Sequence, residues 1–239
     1  MPTTVCNRRL YAILLGLLLA AGAALRLAHL GDPSLWWDEF ITLGVSLLPV
    51  SRMLHILSVV GPSDIGGEFF PPLYHLITHA LLAVSRDDAV LRTLSVVCGT
   101  ATIAVVYVLG HDLFSRRAGL FAAGLATFSV YQIHYSRELR PYSLFMFLGL
   151  ASLLTLYRAL TRGGVRRYIT YILVTAAMTY TSYMAATNIA AQGLFTAFFV
   201  SRGLWQRDFG LRAAVGKGLA LVACLAVAGL GYLPWIAAY

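Results

Sequence analysis

Charged side chains are scarce in this chain. Asp, Glu, Lys and Arg make up 12% of its 239 residues, against about 25% in an ordinary soluble domain. Hydrophobic residues reach 59% and the mean hydropathy is +0.76. One soluble core cannot hide that surplus, so a soluble globular fold is excluded. Cysteine is rarer still. Cys6, Cys98 and Cys224 lie far apart, at the basic N-terminus or inside apolar stretches; nothing in their spacing suits a metal, and they read as buried thiols. No low-complexity linker, internal repeat or soluble domain interrupts the pattern. The formal charge is +8, but the basic residues sit in short knots between apolar segments and form neither a stripe nor a tail. Nucleic acid is therefore not an expected partner.

What the chain does have is a series of uncharged stretches, several of them near the roughly 20 residues that one helix needs to cross hydrocarbon. Arg8 and Arg9 precede an apolar run from Leu10 to Leu30 that only Arg26 interrupts. The start looks like a signal peptide, yet no convincing small-residue cleavage site follows, which predicts a retained first span. Residues 31–68 form the longest polar interval and hold five of the ten carboxylates. Their apolar pieces are too brief to cross. Further spans are predicted near 93–110, 118–135, 141–157, 168–184, 187–201 and 216–236, with an outer turn over 179–188 inside the long uncharged stretch. The expected fold is all-α: a polytopic transmembrane helix bundle of about seven spans, with residues 1–239 as a single membrane domain. The stretch ending at Leu233, Pro234 and Trp235 looks cut off, so the chain reads as a fragment.

Residues 71–85 decide the orientation. They are apolar but short, begin with Pro71 and Pro72, which suit a helix start, and carry His75 and His79. If this segment does not cross, the short cytoplasmic loops receive Arg8, Arg9, Arg116, Arg117, Arg158, Arg162, Arg166, Arg167, Arg202, Arg207, Arg212 and Lys217, which is 12 of the 18 basic residues. If it crosses, the count reverses. Because Lys and Arg concentrate on the cytoplasmic side, the segment is expected to lie in the outer interface. Residues 31–92 then form a first extracytoplasmic loop with interfacial helices. Every carboxylate except Asp112 and Asp208 falls outside, although acids did not enter the choice.

Two clusters on that outer side carry candidate chemistry. Asp38 and Glu39 follow Trp36 and Trp37, typical interface residues, so the two acids are held at the membrane surface. A carboxylate there can act as a general base toward a hydroxyl; alternatively, the pair serves the first turn of a surface helix. The second cluster runs from His134 to Tyr142. Arg137 and Arg140 there could hold a phosphate, because the guanidinium fork matches phosphate oxygens and stays charged; alternatively, they and Glu138 solvate a helix end. His75 and His79, four apart, share a helical face and with Glu68 or Asp64 could bind a divalent metal, or they are hydrogen-bonded interfacial histidines. Tyr180, Tyr183, Asn188 and Gln192 could line a ligand groove or bridge helices.

In their order these motifs resemble the GT-C membrane glycosyltransferases, in the branch of the protein O-mannosyltransferases, the lipid A aminoarabinose transferase and bacterial relatives acting on envelope glycans. Leu35-Trp36-Trp37-Asp38-Glu39 follows the first span. Phe70-Pro71-Pro72-Leu73-Tyr74-His75 opens the interfacial helix, and Arg92 precedes the next span. Phe114-Ser115-Arg116-Arg117-Ala118-Gly119 makes a cytoplasmic turn, and residues 135–142 make the second outer loop. The resemblance implies inverting transfer of a sugar from a polyprenyl-phosphate donor to an extracytoplasmic glycan, lipid or protein acceptor. It implies Asp38 as the catalytic base with Glu39 beside it, Arg137 and Arg140 on the donor phosphate, and Glu138, Tyr142 and His75 orienting substrate. It also implies an integral protein of the bacterial cytoplasmic membrane, N-terminus inside and site facing outward. No cofactor is implied. A divalent metal is not carried over, because Phe69 and Phe70 stand where some relatives place a charged residue. Relatives are commonly longer, so the acceptor-binding half is expected to be missing. The competing expectation is a non-catalytic lipid-glycan carrier or assembly partner on the same scaffold.

Overall fold

The computed structural model describes residues 3–59, 70–208 and 210–237, which form helices and no strand. In chain order these are α1 (Thr3–Leu27), α2 (Trp37–Ser46), α3 (Val50–Val59), α4 (Leu73–Leu82), α5 (Asp88–Leu113), α6 (Arg116–Phe128), α7 (Val130–Tyr135), α8 (Tyr142–Arg162), α9 (Val165–Thr179), α10 (Ala185–Trp205) and α11 (Leu211–Ala237). Residues Arg8–Leu27, Asp88–Leu113, Tyr142–Arg162 and Leu211–Leu233 are long and apolar enough to cross a membrane. Large apolar side chains such as Ile13, Phe121, Leu173, Phe198 and Leu230 face outward from the bundle, as a lipid solvent permits. This is an integral membrane protein with an all-helical bundle.

The other three predicted spans correspond to α6 with α7, to α9 and to α10. α10 is as long as α8, but Asn188, Gln192 and Arg202 dilute its hydropathy. The expected continuous span over 118–135 is broken at Ser129. That residue adopts extended backbone and its Oγ accepts from the Gln132 N–H, so it starts the short α7. α4 has ten residues, about 15 Å at the α-helical rise, roughly half the hydrocarbon thickness.

Local chemistry sets the other boundaries. Asp87 caps α5 by accepting from the Ala89 N–H at 2.8 Å and the Val90 N–H at 3.3 Å. Ser115 does the same for α6 through the Ala118 N–H. The α8–α9 turn needs left-handed backbone at Gly163 and Gly164, with φ of 63° and 93°. α5 is the central element, packing against α1, α4, α6, α7 and α8; α8 meets α9, and α11 lies on α9 and α10. The α5–α6 turn is tight enough that a Cβ on Gly119 would come within 2.4 Å of the Tyr107 carbonyl oxygen. The main core, with Tyr74, Leu91, Cys98, Leu139, Leu144 and Met178, lies directly beneath the loop that joins α7 to α8.

Candidate active site

Two segments far apart in sequence meet at one end of the bundle: the first turn of α2, with Asp38 and Glu39, and the 136–141 loop. Glu39 is 1% exposed and sits at the third position of α2. Its Oε2 accepts from the Trp36 N–H at 3.3 Å and from Arg92 Nη2 at 2.7 Å; its Oε1 accepts from Arg92 Nε at 2.9 Å and from the Leu139 N–H at 2.6 Å. Four donors therefore converge on one carboxylate, which joins α2, α5 and the loop. Arg92 also donates through Nη1 to the carbonyl oxygens of Leu30 and Pro33, fastening the segment between α1 and α2.

The loop is held at almost every residue. Ser136 Oγ accepts from Arg26 Nε at 3.2 Å, and Arg137 Nη2 donates to the His29 carbonyl at 2.9 Å. Glu138 Oε1 lies 3.0 Å from His134 Nε2. Arg140 Nη1 donates to the Asp38 carbonyl and to Thr42 Oγ1, and its own carbonyl accepts from Ser95 Oγ. Arg26, fully buried in α1, also donates to the carbonyls of Ala126 and Thr127 at the end of α6. The break at Ser129 leaves those carbonyls without helical partners. Gly99 on α5 makes the approach possible: a Cβ there would fall 2.0 Å from Ser136 Oγ.

Asp38 differs from its neighbour. Its side chain remains 34% exposed, with Oδ2 3.8 Å from Arg140 Nη2. The Arg140 guanidinium carbon lies 5.0 Å from the Phe70 ring centroid and 5.7 Å from that of Tyr142. Tyr142 packs edge-on to Tyr135 and Phe70. Asp38, Arg140, Tyr142 and Phe70 thus form one group, in which an exposed carboxylate faces a cation held between aromatic rings.

The remaining predicted residues divide. Among the described residues Arg137 and Arg140 turn to different partners, one to the His29 carbonyl and the other to the Asp38 carbonyl and Thr42. His75 is fully buried, with Nδ1 3.2 Å from Ser46 Oγ, and His79 Nδ1 lies 2.8 Å from the Ser46 carbonyl. Both histidines join α4 to the last turn of α2. Among the described residues no three His, Cys, Asp or Glu side chains gather as a metal site; Asp64 and Glu68 lie outside those residues. Gln192 bridges Ser152, Tyr171 and Asn188, Tyr180 bonds the Gly231 carbonyl, and Tyr183 accepts from the Trp235 indole.

Two cavities flank the loop. One, of about 670 Å³, runs between α8 and α10 from Tyr135 and Tyr142 toward Leu153 and Phe195, with Asn188 and Gln192 in its wall. The other, of about 480 Å³, has charged groups in its wall and is lined by Trp36, Glu39, Arg92, His134, Arg137 and Glu138 among others. Burial pushes the Glu138 carboxyl above the usual carboxylate range. His134 and Arg140 oppose that rise, and the charges of Glu39 and Asp38 add to it.

Sequence reasoning passed over Arg26 and undervalued Arg92. Each is a charge at or inside a predicted span, which by itself marks a buried partner. A family model described as dolichyl-phosphate-mannose-protein mannosyltransferase matches residues 70–233, more than half of the chain. The match includes Arg92, the 136–141 loop and the α8–α10 cavity, and begins after Asp38 and Glu39. No curated protein matches the chain.

Proposed function

The chain belongs to the dolichyl-phosphate-mannose-protein mannosyltransferase family, of the GT-C type, and from that premise we propose that it transfers a sugar from a polyprenyl-phosphate donor to a hydroxyl of a glycan, lipid or protein acceptor, with Asp38 as the general base. The observation that carries this reading is the division of labour within the acid pair. Glu39 is enclosed by four donors, whereas Asp38 keeps a partly exposed carboxylate 3.8 Å from Arg140.

In the proposed step the acceptor hydroxyl gives its proton to Asp38 as its oxygen bonds to the anomeric carbon. The bond from that carbon to the phosphate oxygen breaks on the opposite face, and polyprenyl phosphate departs with the electron pair. The anomeric configuration inverts. Arg140, held between Phe70 and Tyr142, offers positive charge where the leaving phosphate gains negative charge. Glu39 and Arg92 keep α2 in register with the loop, so Glu39 positions the base and does not itself take the proton. Arg137 remains within reach of the polar cavity through the His29 segment, and Glu138 and Tyr142 border the two cavities where substrate would be oriented. The apolar α8–α10 cavity suits a lipid chain. The positive-inside count supports an orientation with this end of the bundle outside the cytoplasm, and the reading takes the membrane to be a bacterial cytoplasmic one.

In the intact protein, Asp38→Asn lowers transfer about 10²–10⁴-fold, the usual contribution of a positioned base, while membrane insertion and thermal stability persist. Transfer at the wild-type rate would assign the base elsewhere. Asp32→Cys, in the exposed segment before α2, tests orientation: an impermeant maleimide labels it from outside the cell, and labelling only after permeabilisation would reverse the topology.

A further inference from the structure

The cavity on the Glu138 side of the loop takes no part in the proton and phosphate chemistry of the transfer step, and its lining includes neither Asp38 nor Arg140. We propose that it is a saccharide subsite, in which Trp36 offers an apolar face to a pyranose ring while Glu138, His134 and Arg137 bond its hydroxyls. This rests on the glycosyl-transfer reading and extends it to residues with no part in the proton or phosphate chemistry.

Three observations support it. The cavity, at about 480 Å³, falls within the roughly 300–1,000 Å³ of small-molecule sites. Its wall mixes an indole that is 45% exposed with a carboxylate, an imidazole and a guanidinium; a ring with one apolar face and a rim of hydroxyls complements that mixture. Finally, Glu138 is 9% exposed and its Oε1 lies 3.0 Å from Nε2 of the exposed His134, so a carboxyl–imidazole pair stands in the cavity wall where hydroxyls can bond to it.

The Glu138 carboxyl also selects the ligand. A sugar hydroxyl can donate to the carboxylate or accept from the carboxylic acid, so it suits Glu138 in either state. A phosphate would set like charge against the carboxylate. Arg92, the other cation in the wall, is neutralised by Glu39 at 2.7 Å. A lipid chain would leave the polar groups unmatched, and has better matches in the apolar α8–α10 cavity and in the groove between α1 and α6 lined by Leu14, Leu17, Phe121 and Leu125. The ring could belong to the donor sugar or to an acceptor glycan, since both present the same hydroxyls.

The test uses the full chain in lipid nanodiscs and a panel of methyl α- and β-pyranosides of mannose, glucose, galactose and arabinose, read by saturation-transfer difference NMR. At least one glycoside binds in the millimolar range. Glu138→Ala and Trp36→Ala each weaken it tenfold or more, and Phe121→Ala in the distant groove leaves it unchanged. Trp36 is on the exposed rim, so its variant keeps the test valid if Glu138→Ala does not fold. Polyprenyl-phosphate mannose displaces the glycoside if the ring is the donor's, whereas binding alongside it assigns the ring to the acceptor; polyprenyl phosphate without sugar displaces nothing. Failure of every glycoside to bind, or binding unaffected by both cavity variants, would overturn the subsite. Asp38→Asn separates the two readings: glycoside binding retained with transfer lost upholds both. If the glycosides bind as expected while Asp38→Asn still transfers, only the base assignment falls. If transfer depends on Asp38 and no glycoside binds, only the subsite falls.

Discussion

The two halves of α5 each carry an ion pair and each make room for a close neighbour, yet they are built differently. At the first end Arg92 meets Glu39 with side chains 3% and 1% exposed, and about two turns on, near the middle of the helix, Gly99 admits Ser136 of the loop. At the far end Asp112 meets Arg158 at 2.9 Å, with the arginine 36% exposed, and Gly110 admits the backbone of Gly119. The far pair joins two spans near a basic rim, where Tyr157 also bonds the Asp112 carbonyl. The first pair joins a surface helix, a span and a loop around an exposed carboxylate. The same chemistry closes a helix end in one place and locates a candidate catalytic group in the other, and the difference lies in what else each charge touches.

That contrast can be broken most forcefully at Arg92. Arg92→Leu leaves Glu39 buried without its counter-charge, a loss of about 3–5 kcal/mol for a buried pair, read as a large fall in apparent Tm in detergent and in transfer. The double variant Arg92→Leu with Glu39→Leu recovers much of the stability and none of the transfer. A double variant as unstable as the single one would mean that the carbonyl bonds of Arg92, and not the ion pair, hold this end. Gly99→Ala comes next. Its methyl group collides with Ser136 and displaces the loop, costing about 1–3 kcal/mol as overpacking does, with transfer reduced more than unfolding alone accounts for. At the far end Asp112→Asn is milder, about 1 kcal/mol for a partly exposed pair, with transfer per folded molecule unchanged; a loss of transfer there would erase the distinction between the ends.

The smallest effect is a pH dependence at Glu138. Its carboxyl binds a proton more tightly in the folded chain than in the unfolded one. The stability this contributes is complete below the unfolded pKa and is lost as pH rises through the raised folded value. Glu138→Gln removes that loss, so its apparent Tm declines less than that of the wild type over the same rise. Equal slopes in the two proteins would place the carboxyl in a wetter environment than its burial indicates.

Much of the framework was legible in the sequence because a membrane imposes its demands locally. Apolar runs became helices, a shorter turn over 180–184 fell inside the expected 179–188, and Trp36 and Trp37 remained exposed. The break at Ser129 was not legible, since a serine within an apolar run does not declare whether it caps or continues. Nor were the partners of the charges. Glu39 and Arg92 are separated by 53 positions and Arg26 and Ser136 by 110, and no period or spacing relates residues that meet only through packing. In the sequence Arg137 and Arg140 read as one phosphate grip because they share an outer loop and a guanidinium fork suits phosphate. Their different partners follow from the loop, in which Arg137 turns to the segment after α1 and Arg140 to α2.

Glu39 grips the loop through the main-chain N–H of Leu139 and not through a side chain. That bond is indifferent to the identity of residue 139, whose leucine side chain serves the core beneath. Over evolutionary drift, position 139 could therefore exchange one apolar residue for another without loosening the site, and only proline, which has no N–H to offer, would release it. Position 39 has no such latitude. Genetic robustness in this region thus falls unevenly on the two ends of a single hydrogen bond.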